Sequence, residues 1–235
     1  MNQIGRKINV IFCGYRDWAL SVIDNVIKHP NINCIGIIKN FDNYRTQEKN
    51  GFDDNVDIIL FIGWSWIVPK ETTSNFLCLG IHPSDLPNYR GGSPLQHQII
   101  NGIKKSKVTL MTLSEKELDA GDIWMKTNLS LRGDNVRQIL KNVSKSSIKL
   151  LTEFFNKYPD INPEKQKIEF GSYFKRRSEK DSRIYFENIE DFTLLDIYNN
   201  VRCLTDPYPN FYIEDSDGNK LYLKKVEYIS AKNND

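Results

Sequence analysis

Histidine, cysteine and methionine are scarce in this chain: 235 residues carry three, four and three of them. His29, His82 and His97 are widely spaced and no two cysteines lie close together, which excludes a zinc site of the usual Cys/His spacing. Cys13, Cys34, Cys78 and Cys203 are scattered, three of them inside apolar runs, so reduced buried thiols are expected and not a disulfide framework. No stretch approaches the roughly 18 consecutive apolar residues of a membrane helix. The polar opening also lacks the pattern of a secretory leader. A cytoplasmic protein with no membrane partner and no metal is expected. An excess of one charge is missing as well, with Lys+Arg 32 against Asp+Glu 30 and a net charge of +2. Nucleic-acid binders usually concentrate a basic stripe. Here the run Lys175-Arg176-Arg177 is followed by Glu179 and Asp181, so no nucleic-acid partner is expected. Hydrophobic residues at 40% and charged residues at 26% are ordinary for a globular chain. The length suits one large domain with a small appendage.

What is present alternates between strand and helix signals. The apolar run from Lys7 to Gly14 predicts a buried strand. Trp18, Leu20, Val22, Ile23, Val26 and Ile27 then recur at three- and four-residue spacing, predicting an amphipathic helix that closes at His29-Pro30. Further strands are predicted over 34–38, 56–63 and 76–81, and continuous apolar runs of this kind suit a parallel sheet buried on both faces. Ser93-Pro94 predicts a helix capped by the serine and running to Asn101-Gly102. Strands over 107–113 and 122–131 and a long helix over 134–157 follow. Residues 160–183 are polar and irregular and read as a connection. A short helix over 191–203, the turn Asp206-Pro207-Tyr208-Pro209-Asn210, and a hairpin of 211–213 with 221–229 complete the chain. The expected fold is α/β: a Rossmann-like, doubly wound, mostly parallel sheet with a small C-terminal helix plus β-hairpin extension. The expected division is 1–160 for the main α/β domain, 161–190 for a connecting segment and 191–235 for the helix and hairpin. A lone hairpin is marginal in water, so it must pack on the main domain or a second subunit, and a homodimer is expected.

In a doubly wound sheet, ligands bind beyond the carboxyl ends of the strands. Gly14-Tyr15-Arg16-Asp17 follows the first strand but is not G-x-G-x-x-G, and reads as a tight turn. Gly63-Trp64-Ser65-Trp66-Ile67-Val68-Pro69 follows the third strand. Its tryptophans suit either the wall of a flat aromatic ligand's pocket or ordinary packing. The most informative stretch runs from Gly80 to Pro94, dense in Pro, Gly, Ser and Asn yet holding His82 and Arg90. Asp119 follows in the loop Leu118-Asp119-Ala120-Gly121-Asp122. A lone histidine at a strand end is commonly structural. A His and an Asp on loops at one sheet edge are also what general acid–base chemistry needs. The residues alone give a pair without a reaction.

The run His82-Pro83-Ser84-Asp85-Leu86-Pro87-Asn88-Tyr89-Arg90-Gly91-Gly92-Ser93-Pro94 resembles the signature of formyltransferases that use N10-formyltetrahydrofolate. Val108-Thr109-Leu110-Met111 with Leu118-Asp119-Ala120-Gly121-Asp122-Ile123 resembles that family's second motif. Tyr173 to Arg177, Asp181 to Ile184, and Ile197 to Arg202 through Asp206-Pro207-Tyr208-Pro209 resemble the nucleotide-sugar N-formyltransferase branch of this methionyl-tRNA formyltransferase-like superfamily. The resemblance implies a catalytic trio of Asn-x-His plus the Asp of an Asp-x-Gly motif. His82 and Asp119 carry over, whereas the Asn position is Gly80, a departure. In the implied reaction a sugar amine attacks the formyl carbon, His82 accepts or relays its proton, and Asp119 orients the imidazole. The Asn amide would donate to the oxyanion, and loss of one such donor typically costs about 10²–10³ in rate. A backbone N–H, Ser84, Asn88 or Gln96 is the expected substitute.

By the same resemblance, the pterin lies against Gly63, Trp64, Ser65, Trp66, Ile67 and Val68, mainly through backbone. The acceptor falls to Ser84, Asn88, Tyr89, Arg90, Gly91, Gly92, Tyr173, Arg177 and Tyr208, with Arg90 suited to a phosphate. The implied activity moves formyl from N10-formyltetrahydrofolate to the 4-amino group of a dTDP- or UDP-linked 4-amino-4,6-dideoxyhexose, for O-antigen (lipopolysaccharide) or another surface glycan. A methionyl-tRNA acceptor is not expected, since an additional basic C-terminal domain would accompany it. Two readings stand beside this one: a non-catalytic nucleotide-sugar or folate-binding homologue in which Gly80 marks lost activity, and a formyltransferase for a different amine.

Overall fold

The computed structural model describes residues 6–114 and 117–231; the opening residues 1–5, read above for a leader, lie outside the described residues. The first half builds β1 (Ile8–Cys13), α1 (Asp17–Val26), β2 (Ile32–Ile38), α2 (Phe41–Asn50), β3 (Ile58–Ile62), α3 (Lys70–Asn75) and β4 (Cys78–His82). Next come β5 (Arg90–Gly91), α4 (Pro94–Ile100), β6 (Lys105–Thr112), β7 (Ile123–Ser130) and α5 (Val136–Lys157). The remainder holds β8 (Tyr173–Phe174), β9 (Arg183–Tyr185), α6 (Leu194–Cys203), β10 (Tyr212–Glu214) and β11 (Lys220–Tyr222).

Six strands form one sheet in the order β2-β1-β3-β4-β6-β7. The pairs β1–β2, β1–β3 and β3–β4 are parallel, and β6 runs against both neighbours. The mostly parallel, doubly wound sheet is therefore as expected. Strands β3 and β4 are buried at every position, because helices cover both faces. Helix α5 buries Val136, Ile139, Leu140, Val143, Leu150, Leu151 and Phe154, a helical spacing, in one core with α1. The other face closes over Tyr44 of α2 and Phe61 of β3.

Several elements differ from the sequence reading. Helices α2 and α3 carry no apolar periodicity, with one buried residue each, Tyr44 and Thr72, and α2 is set by its Asn40 cap, whose side chain accepts from Asn43 N at 2.8 Å. Ser93 does not cap α4. It sits at φ 55°, and its hydroxyl accepts instead from the Arg177 backbone N–H at 3.1 Å. The 160–183 stretch is more than a connection, since it supplies β8, which pairs in parallel with β5. The hairpin is shorter than expected, its second strand ending at Tyr222, and β9 pairs in parallel with β10 to make three strands. Phe211 and Tyr212 are buried, so the hairpin packs on the main domain.

Candidate active site

Strand β4 ends on His82, at the carboxyl edge of the parallel strands. Side chains alternate along a strand, so positions 80 and 82 share a face. His82 is 6% exposed. Its Nε2 lies 2.9 Å from the Tyr89 carbonyl oxygen and its Nδ1 3.4 Å from Asp119 Oδ2. Both neighbours are acceptors, so an N–H on either ring nitrogen has a partner. At Gly80 an added Cβ would stand 2.7 Å from Leu113 Cδ2. Leu113 therefore fills the space that an asparagine side chain at position 80 would enter.

Asp119 is brought to His82 by a strained loop, with φ 56°. Left-handed backbone is uncommon outside glycine, and Asp is among the residues that tolerate it. Two bonds hold it there: the Gly91 N–H donates to Oδ2 at 2.9 Å, and Gln166 Nε2 donates to the Asp119 carbonyl at 3.1 Å. The same Gln166 nitrogen donates to Gly121 O at 2.7 Å. Arg90 is buried beside this loop and ion-paired to Glu117, while its Nε has no partner.

Tyr89, whose carbonyl meets His82, is itself left-handed at φ 59° and is fixed from the β8 side. Its N–H donates to Ser172 Oγ at 2.9 Å, Arg90 N donates to Ser172 O at 2.9 Å, and Gly92 N donates to Phe174 O at 2.8 Å. The Tyr89 ring stacks on Phe174 at 5.0 Å and His97 stacks on Phe174 at 4.5 Å. Gly91 sits at φ 91°, and a Cβ there would lie 2.3 Å from Phe174 O, so only glycine allows this approach.

The structure thus brings His82, Asp119, Tyr89, Arg90 and Gly91 together. Ser84 is buried and its hydroxyl donates to Asn88 O at 2.7 Å, which commits it within the turn; the Asn88 side chain is exposed. Gln96 is buried and hydrogen-bonded to Tyr208, whose phenol is pushed upward by burial. Tyr173 is exposed at β8. The Arg177 guanidinium donates to the Asp181 carbonyl, and burial lowers its pKa. Burial likewise lowers the pKa of His97, whose Nε2 lies 3.0 Å from Lys175 O. The Cys78 and Cys203 thiols are pushed up to about 12 by burial, which leaves them inert.

The Gly63–Pro69 loop lies after β3. Trp66 stacks on Phe41 at 5.2 Å and meets Tyr15 at 4.7 Å and Trp64 at 4.8 Å, while Trp64 packs on Tyr44 at 5.5 Å. The tryptophans are therefore largely committed to an aromatic cluster. The loop still offers an exposed Ile67, and the buried Trp64 Nε1 has no hydrogen-bond partner. Such an orphaned donor is unusual in a folded interior and suits a site that receives a polar ligand. Sequence reading missed Gln166, Ser172 and Leu113, whose roles rest on contacts between distant segments with no local signature. Among the described residues no group of three or more His, Cys, Asp or Glu side chains could hold a metal ion, and no helix is long and apolar enough to cross a membrane.

Comparison with known proteins gives one family: that described as formyl transferase matches residues 26–154. The methionyl-tRNA formyltransferase of Rickettsia felis is 32% identical over 181 residues, covering 76% of this chain and 57% of that protein. The chain thus spans little more than half the length of the curated relatives it matches. Among solved structures, methionyl-tRNA formyltransferase from Clostridium thermocellum has TM-score 0.74 at 29% identity, over 94% of this chain and 100% of that one. A 4-N formyltransferase from Francisella tularensis has TM-score 0.74 at 22% identity, over 96% of this chain and 100% of that one, a likeness of fold.

Proposed function

We propose a reaction and an acceptor for this chain, which belongs to the formyl transferase family: transfer of a formyl group from N10-formyltetrahydrofolate to the 4-amino group of a dTDP- or UDP-linked 4-amino-4,6-dideoxyhexose. The observation that carries the reading is the buried contact of His82 Nδ1 with Asp119 Oδ2 at 3.4 Å, at the carboxyl edge of the sheet. The amine nitrogen forms the new bond to the formyl carbon, the bond from that carbon to the carrier nitrogen breaks, and the proton lost by the amine passes through His82 to the leaving nitrogen. Asp119 orients the ring, and the Gly91 N–H keeps Asp119 in place. The exposed Ile67 and the orphaned Trp64 Nε1 of the 63–69 loop suit the flat, polar pterin of the donor. Glycine at position 80 has no side chain to donate to the developing oxyanion, and Leu113 lies in the space one would enter.

The sugar acceptor is supported by the motifs of the C-terminal third and by the Francisella protein's name as a 4-N formyltransferase. A cytoplasmic enzyme supplying a surface glycan fits this reading. So does a homodimer closed over the C-terminal sheet, where Leu221 and Tyr222 are exposed; a monomeric mass in light scattering at micromolar concentration overturns the dimer. A second reading, an aminoacyl-tRNA acceptor, is favoured by the names of the sequence relatives. The test incubates the protein and N10-formyltetrahydrofolate with each amino-sugar nucleotide and, in parallel, with methionyl-tRNA, reading product mass. Formylated sugar, lost about 10²–10⁴-fold in His82→Ala and Asp119→Ala, is the expected result. Formylated methionyl-tRNA alone replaces the acceptor, and no product with any amine selects the non-catalytic homologue.

A further inference from the structure

The chain leaves β1 for the edge strand β2 and then returns past β1 to β3, so β1 and β3 are neighbours whose following helices lie on opposite faces. A crevice opens at such a reversal, beyond the carboxyl ends of the two strands, and ligands of doubly wound sheets bind there. Tyr15 and Arg16 come from the loop after β1 and Ser65 from the loop after β3. Tyr15 Oη donates to Ser65 Oγ at 2.7 Å, and Arg16 Nη2 reaches the same oxygen at 3.4 Å. From a third direction, Arg176 Nη2 donates to the Ser65 carbonyl at 3.2 Å. Two guanidinium groups thus converge on one serine. The ion pairs among the described residues involve neither of them.

Neither guanidinium has a carboxylate within 4.0 Å among the described residues, Arg176 is exposed, and an anion seated between the two would pair with both. Guanidinium forks bind the paired oxygens of phosphate groups with charge-assisted hydrogen bonds. Aromatic surface lies alongside, with the Arg16 guanidinium 5.1 Å from the Tyr15 ring centre and 5.7 Å from that of Tyr208. The backbone of Arg176 leads back to the loop that holds Asp119. The Arg176 backbone packs so tightly on Gly92 that a Cβ there would lie 2.3 Å from Arg176 Cα, and the preceding Gly91 donates to Asp119.

We infer that Arg16 and Arg176 form an anion subsite for a nucleoside diphosphate, seated between the loops after β1 and β3 with Tyr208 at its edge. The inference rests on the proposed function only for what the diphosphate carries. Anionic oxygens could also come from the glutamate carboxylates of the folate, so both sources are titrated. The experiment measures dTDP, UDP and N10-formyltetrahydrofolate binding by calorimetry, with no turnover required, in the wild type and in Arg16→Gln and Arg176→Gln. Each variant is expected to weaken nucleoside diphosphate binding by about tenfold or more while leaving folate affinity unchanged. Thermal melts check that the variants fold. If either does not, Arg16→Lys and Arg176→Lys, which keep the charge but lose the fork, carry the same comparison. Unchanged nucleoside diphosphate affinity in folded variants, loss of folate affinity alone or in equal measure, or no dTDP or UDP binding by the wild type overturns the subsite. If the variants lose dTDP or UDP binding in a protein that formylates no sugar, the subsite stands and the proposed reaction falls.

Discussion

His82 and Asp119 meet, but two different kinds of architecture deliver them. His82 is the last residue of a five-residue strand that is buried throughout and paired on both sides by β3 and β6. Its place follows from regular strand geometry inside a close-packed core. Asp119 and Tyr89 instead occupy left-handed backbone, and they are held by the two-residue pair of β5 with β8 and by single side chains from the 160–183 stretch. The first region derives its precision from many weak contacts, so no single one decides it. The second depends on a few hydrogen bonds, each worth about 1 kcal/mol net.

The contrast is broken most severely at Gly91. Gly91→Ala puts a Cβ at 2.3 Å from Phe174 O in a left-handed residue, and a stability loss of about 3 kcal/mol is expected from overpacking and strain together. Urea denaturation checks it; a variant as stable as the wild type would show that β5 and β8 do not need their close approach. In the sheet, Gly80→Asn is expected to cost about 1–3 kcal/mol, because the new side chain meets Leu113. Adding Leu113→Ala should recover part of that loss, and a simple sum of the two single effects would show that the residues do not compete for space.

Ser172→Ala sharpens the comparison further. Loss of the bond to Tyr89 N–H is expected to lower stability by about 1 kcal/mol. In the reaction proposed above, kcat should fall with KM little changed, because Ser172 fixes Tyr89, whose carbonyl meets His82; a purely structural role would leave kcat intact. The smallest effect belongs to His97. Burial lowers its pKa in the fold below the ordinary value of 6.5, so below that pH the unfolded chain takes up a proton that the folded one resists. Stability present above pH 6.5 is lost as pH falls towards the lowered value, and His97→Gln should show a smaller drop in denaturation midpoint between pH 7.5 and 5.5 than the wild type.

Much of the central sheet was legible because its strands are apolar runs ended by turn residues, and α5 because its apolar residues recur on one face. Helix α2 was not, since the segment Phe41–Asn50 is polar and buries only Tyr44. At the site, His82, Asp119, Arg90 and Gly91 stood out through a family-like motif. Ser172 and Gln166 lie in a stretch with no pattern, and Ser93 had the chemistry of a helix cap but gives its hydroxyl to Arg177 instead.

The sequence by itself determined the class of sheet and the place of His82 at the end of a buried strand on its carboxyl edge. These are recorded in local order: apolar periodicity, turn residues and contiguous motifs. Only the tertiary structure decided that Leu113 closes the space beside Gly80, that Ser172 and Gln166 hold the loops of Tyr89 and Asp119, and that Arg16 and Arg176 meet at Ser65. Each of these joins segments far apart in the chain, and no local preference of either segment encodes the other.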